Sequence, residues 1–184
     1  MAFHHLAVAA RDMAGIDAFY SRVLGFELVK VEAAATPEGG FAKHFFYDQG
    51  DGELMAFWEL HDEKLGERYP TALSTDLGLP PWVNHYAFHA DHRGELEQKK
   101  NLWLEHGYDV LWIDHHWCTS VYTLDPNGTL VEFCCTNDEF SRDDRERAQR
   151  ALAGDEIEHS APPTIESFKS SKRPLHERLA EESA

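Results

Sequence analysis

Three residues of this 184-residue chain have the types and positions to hold a metal ion: His5, His85 and Glu132. Two neutral imidazoles and one carboxylate can bind one side of a divalent ion and leave its other positions open. That donor set suits non-heme iron(II) and its oxygen chemistry. Taken singly, each residue has an ordinary explanation. A histidine on a strand is usually a satisfied core residue, and a carboxylate near a strand end is usually solvated. What separates these three from the other histidines and acids is that they stand at matching points of an internal repeat.

The elements that must position them follow from the hydrophobic pattern. The apolar run His5-Leu-Ala-Val-Ala reads as a buried strand. Asp12 then precedes Met13, Ile16, Phe19, Tyr20, Val23 and Leu24, a 3–4 spacing that predicts a helix stopped by Gly25. Strands are predicted over 26–31, 41–47 and, after the turn Gln49-Gly-Asp-Gly52, 54–60. The second half repeats the order. A strand at 85–89 leads to a helix that starts near Asp91, runs through Leu96, Leu102 and Leu104, and stops at Gly107. Strands follow over 110–113, 120–124 and, after Asp125-Pro-Asn-Gly128, 129–135. His85 follows His5 by 80 residues, Asp91 follows Asp12 by 79, and Gly128 follows Gly52 by 76. The expected fold is α+β: paired βαβββ modules, about 3–61 and 82–136, forming a curved mixed sheet around a metal cleft within a domain of residues 1–137.

Residues 138–184 change in composition and predict a charged, helical C-terminal tail. Ser141-Arg-Asp-Asp144 resembles a capping box and opens a helix to about Ala153. Pro162-Pro163 and several serines mark 160–171, and Pro174 opens a last short helix. A solvated tail or a clasp on a second subunit is expected here.

Composition narrows the function. Asp and Glu number 33 against 17 Lys and Arg, a formal net charge of −16, which repels phosphate backbones and anionic membranes. No stretch approaches the roughly 20 apolar residues of a membrane span, and Met-Ala-Phe-His-His lacks the basic patch and apolar run of a signal peptide. Three cysteines without a C-x-x-C pair argue against a disulfide framework or a zinc finger. A cytoplasmic protein with a small-molecule substrate, and without nucleic-acid or membrane partners, is expected.

The two modules, the opening His5-Leu-Ala-Val and the segment Phe19-Tyr20-Ser-Arg-Val-Leu-Gly-Phe26 resemble the vicinal oxygen chelate superfamily over about residues 3–136. Its members include glyoxalase I, fosfomycin-resistance transferases, methylmalonyl-CoA epimerase and extradiol ring-cleavage dioxygenases. The run from Ile113 to Glu132 looks like the extradiol signature: His115, the pair Val121-Tyr122, Asp125-Pro126-Asn-Gly128 and Glu132. That resemblance implies His5, His85 and Glu132 as metal ligands, His115 as an acid/base beside the metal, and Tyr122 as a hydrogen-bond donor to substrate oxygen. It also implies Fe(II) as cofactor, a catecholic or related substrate with vicinal oxygens, and O2 as co-substrate. The chain departs from the better-known extradiol enzymes in lacking an extra pair of modules and a histidine within 69–84.

Two alternatives remain open at this level. A glyoxalase-type isomerase or thiol transferase would use Zn, Ni, Co or Mn and a fourth ligand on the closing strand of the first module. Superposing the halves puts Ala56 in the place of Glu132, with Glu59 nearby but on the opposite face of a regular strand. A bleomycin-resistance-like protein would sequester a planar ligand without metal. His44 and Trp117 are expected as possible pocket-lining residues, although core or surface is the commoner fate of such side chains. Members with a single such chain often form homodimers, some sharing ligands between subunits.

Overall fold

A computed structural model describes residues 3–50, 52–154 and 159–182. The first unit comprises β1 (His5–Ala9), α1 (Met13–Asp17), β2 (Glu27–Ala35), β3 (Gly40–Asp48) and β4 (Leu54–Asp62). The second comprises β5 (His85–His89), α2 (Arg93–Glu105), β6 (Val110–Asp114), β7 (Cys118–Leu124) and β8 (Leu130–Thr136). The βαβββ order is therefore present twice. Each unit makes an open mixed sheet, ordered β1-β4-β3-β2 in the first and β5-β8-β7-β6 in the second. The repeat holds at the level of register: His5 pairs with Leu54 as His85 pairs with Leu130, each across a parallel strand pair.

Asp12 caps α1 by accepting the amide of Gly15 at 2.9 Å, as its position before the apolar pattern suggests. The helix continues as a π-helical turn, Ala18–Val23, in which the amide of Leu24 bonds the carbonyl of Phe19 at 3.0 Å. In α2 the cap is His92 rather than Asp91: its Nδ1 accepts the Glu95 amide at 3.1 Å, and Glu95 reaches back to the Asp91 amide. The capping box of Ser141 and Asp144 is present and opens α3 (Arg142–Leu152).

One core serves both units. Phe19 and Tyr20 are fully buried with Trp103 and Leu96, and Phe19 stacks 6.5 Å from Trp103 and meets Tyr108 edge-on at 5.0 Å. Phe26 packs on Phe88 of β5 at 5.3 Å. Each such aromatic removes enough apolar area from water to contribute roughly 2–3 kcal/mol before entropy. A polar contact crosses the same seam. The Tyr20 hydroxyl donates to Asp125 at 2.9 Å, and the Thr129 amide donates to the other carboxylate oxygen at 2.9 Å.

The tail is more integrated than a solvated segment. Residues Thr164–Phe168 form β9, a fifth strand antiparallel to β6 at the edge of the second sheet. Helix α4 (Leu175–Glu182) then packs on α1 and its π-helical extension. Composition hid β9 because an edge strand gains its stability from the backbone ladder of β6 and needs no strong apolar alternation of its own. Gly107, which ends α2, permits the crossing. It takes φ of +96°, and a Cβ there would meet the Arg173 carbonyl and the Pro174 nitrogen. Gly107→Ala is expected to loosen the tail, read as faster amide exchange over 164–182 with the exchange of β1–β4 unchanged.

Burial pushes the Asp125 carboxyl up to about 6, against the hydrogen bonds from Thr129, Tyr20 and the turn amides that favour ionisation. A carboxyl that ionises less readily folded than unfolded favours the folded state below its unfolded pKa. Stability is then lost as pH rises from about 4 to about 6, by up to about 3 kcal/mol. Asp125→Asn, which keeps the shape, is expected to flatten the denaturation midpoint across that pH range; an unchanged pH profile would show that another group sets it.

Candidate metal and active site

Successive residues of a strand point to opposite sides, so register decides which side chains meet. In the second sheet Ala87, Glu132 and Tyr122 are aligned across β5, β8 and β7. They share a face with His85, Cys134 and Ser120, while Phe88, Val131, Phe133 and Val121 point the other way, toward α2 and the core.

On that face, Glu132 is buried and both of its oxygens are engaged. His85 Nε2 lies 2.9 Å from Oε2, and the Tyr122 hydroxyl donates to Oε1 at 3.0 Å. Nε2 of His115 lies 3.2 Å from the same hydroxyl. Thus His85, Glu132, Tyr122 and His115, spread over 48 residues of sequence, form one contiguous chain of polar contacts. Desolvation, with the Glu132 charge adding to it, pushes the Tyr122 phenol far up, so it stays a neutral donor at physiological pH.

The backbone aims both histidines. Nδ1 of His85 is 3.0 Å from the Trp82 carbonyl, which fixes the ring and turns Nε2 toward Glu132. His115 follows β6 in a tight connection: its amide bonds the Cys118 carbonyl at 2.9 Å, and its carbonyl accepts the Trp117 amide at 3.0 Å. His116 completes that turn at φ +71°, the left-handed region, and is held by Asp114 at its amide and by Asn137 at its carbonyl. Among the described residues it is the one non-glycine with positive φ. Strain of this kind gathers where a side chain must be aimed, and the sequence gives no sign of it.

His85 and Glu132 fit a divalent metal. His85 Nε2 and Glu132 Oε2 are both atoms with lone pairs to offer, held 2.9 Å apart. Two donors about 2.1 Å from one ion at adjacent octahedral positions lie about 3 Å from each other. The Trp82 carbonyl and the Tyr122 hydroxyl are the outer partners that orient such ligands.

His5 occupies the corresponding place in the first unit. It is exposed, with Nδ1 of His4 2.8 Å from its own Nδ1, and its ring meets His44 at 6.0 Å and Phe46 at 5.7 Å. Ala56 stands on the same face, fully buried, where Glu132 stands in the second unit. Among the described residues, no group of three or more His, Cys, Asp and Glu side chains is placed to hold a metal ion; of the three expected ligands, His85 and Glu132 are in direct contact.

The remaining sites named from sequence lie elsewhere. Glu59 is on the opposite face of β4 from Ala56; no bulge interrupts the β3–β4 ladder to turn it round. It pairs with Lys43 at 2.9 Å and His61 at 3.2 Å; burial opposes its ionisation, but these two partners outweigh it and lower its pKa. His44 is buried, stacked on Trp58 with centroids 3.8 Å apart, and burial followed by the neighbouring His5 lowers its pKa. Trp117 is half exposed and packs on Phe140 at 5.4 Å. Cys118, which the sequence left unassigned, lies on the Glu132 face; burial, then Cys134, pushes its thiol to about 12, which leaves it unreactive. Strand parity from Glu132 would have found it.

The model of the Glyoxalase/Bleomycin resistance protein/Dioxygenase superfamily matches residues 2–133. No curated protein matches the chain. Among solved structures, a glyoxalase family protein from Enterococcus faecalis is 21% identical, with a TM-score of 0.52 over 72% of this chain and 96% of that one. A glyoxalase/bleomycin resistance protein/dioxygenase from Alicyclobacillus acidocaldarius is 18% identical, with a TM-score of 0.51 over 74% and 92%. The genomically encoded fosfomycin resistance protein FosX from Listeria monocytogenes is 16% identical, with a TM-score of 0.50 over 79% and 98%. At these identities the likeness is one of fold. With a family model spanning both repeated units, the chain belongs to the glyoxalase/bleomycin resistance protein/dioxygenase superfamily, the vicinal oxygen chelate proteins.

Proposed function

We propose that this chain is a metal-dependent enzyme of the extradiol dioxygenase type, acting with O2 on a catecholic or related aromatic substrate. The observation that carries the reading is the unbroken contact chain His85–Glu132–Tyr122–His115 on one sheet face. This reading gives His115 and Tyr122 a role beside the carboxylate.

His85 and Glu132 would hold the metal, with His5 of a second copy as third ligand in a homodimer. The exposure of His5, and the lack of any group of three metal-binding side chains among the described residues, support that arrangement. When bound, a divalent ion draws two adjacent oxygens of a substrate and, as Fe(II), provides the means to use O2. Tyr122, a neutral phenol, has one hydroxyl proton, held on Glu132 in the free chain; turned to a substrate oxygen, it would fix that oxygen and steady negative charge there. His115, in contact with that hydroxyl, takes a proton from the substrate side and returns it later.

Elemental mass spectrometry of anaerobically purified protein tests the metal set. Iron in near one-to-one ratio, lost in Glu132→Ala, is expected, with O2 uptake on a panel of catechols. Zinc, nickel, cobalt or manganese without O2 uptake would turn the reading to isomerase or transferase chemistry; no metal in either protein after reconstitution would leave a binding protein. Tyr122→Phe should retain iron while kcat falls about a hundredfold. Co-expressing His5→Ala with Glu132→Ala chains should restore metal to part of the hybrid population; failure to do so would place all three ligands in one chain.

A further inference from the structure

A cavity of about 590 Å3 opens at the end of the second sheet where β6 and β8 begin. Its lining includes Tyr122, Leu124, Leu130 and Leu111. These are residues of three adjacent strands on the face that carries Glu132. Leu130 and Leu124 lie two residues beyond Glu132 and Tyr122, a displacement of about 7 Å along the strands. The cavity therefore borders the candidate active site at Tyr122, which lines it and bonds Glu132.

Its outer wall is the tail, which lies beyond the residues matched by the family model. That wall is held in place: Ser170 Oγ bonds the Leu104 carbonyl at 2.7 Å, the Leu175 amide bonds the His106 carbonyl at 2.9 Å, and Tyr108 meets His176 at 3.0 Å. It is also basic, in a chain of net charge −16, because Lys169-Ser-Ser-Lys172-Arg173 forms the lip. Most of these charges are answered. Lys169 pairs with Asp109 at 2.7 Å, and Arg173 reaches Glu181 at 2.8 Å and Glu177 at 3.3 Å. Asp125, the other acid of the lining, faces Tyr20 and the Thr129 amide. Among the described residues, the Lys172 ammonium has no carboxylate partner.

A neutral hydrogen-bonding end, an apolar floor about one ring long and an exposed cation at the far side define a ligand shape. We propose that the cavity takes the side chain of an aryl substrate, and that this side chain ends in a carboxylate held by Lys172. The assignment of the substrate class rests on the reading of His85 and Glu132 as the end that binds vicinal oxygens; the carboxylate contact itself does not.

Calorimetric titration of the full chain with 3-phenylpropanoate and 3-phenylpropanamide, neither of which has vicinal oxygens, isolates that contact. The acid should bind at least about tenfold more tightly than the amide, as expected for one charge-assisted contact. Lys172→Ala should weaken the acid about tenfold and Lys172→Glu should abolish its binding, with the amide unaffected. Because Lys172 is exposed, both variants should keep the near-ultraviolet circular dichroism of the parent. Equal affinity for acid and amide, wild-type affinity in the Lys172 variants, or no binding of either probe would overturn the proposal. If acid binding depends on Lys172 while the protein takes up no metal, the metal reading fails and the carboxylate site stands.

Discussion

A carboxylate taken out of water must be given partners, and Glu132 is nearly fully buried. His85 takes one oxygen and Tyr122 the other. Those partners come from strands on either side, β5 and β7, so the carboxylate is satisfied only while three strands hold one register. A slip of one residue in β8 would turn Glu132 into the core in the place of Val131 or Phe133 and leave its partners without it. The contact is thus a feature of the candidate site and a lock on the sheet that carries it.

The same physics explains how two similar units become one body. Their sheets share no ladder; they are joined through the core made by the helix of the first unit and the helix-covered face of the second. The π-helical turn widens the end of α1 around Phe19 and Tyr20, the two aromatics that cross this seam. Tyr20 ends on Asp125, in the turn between β7 and β8, only three residues past Tyr122. The packing between units therefore bears directly on the strands that present the site.

The two units have diverged at matched positions. Where the second places Glu132, the first has fully buried Ala56; where the second sets His85 between a carbonyl and a carboxylate, the first sets His5 against the rings of His4, His44 and Phe46. One unit thus carries a built donor pair and the other a single donor. The tail adds a third partner to this asymmetry, extending the second sheet only and walling the cavity beside Tyr122.

Much of this was legible in the residues. The two βαβββ units, their turns at Gly52 and Gly128, the Asp12 cap and the capping box at Ser141 follow from local pattern, because period, capping and turn chemistry act over a few residues. The outward turn of Glu59 also followed from strand parity. Other features needed the folded chain. That His85 and Glu132 meet across two strands and that β9 joins β6 are contacts between segments distant in sequence. Sequence alone determined the elements of the two repeated units and which residues share a strand face. Tertiary structure decided which faces meet, because that depends on core packing and register across strands, to which each residue contributes only in the company of the others.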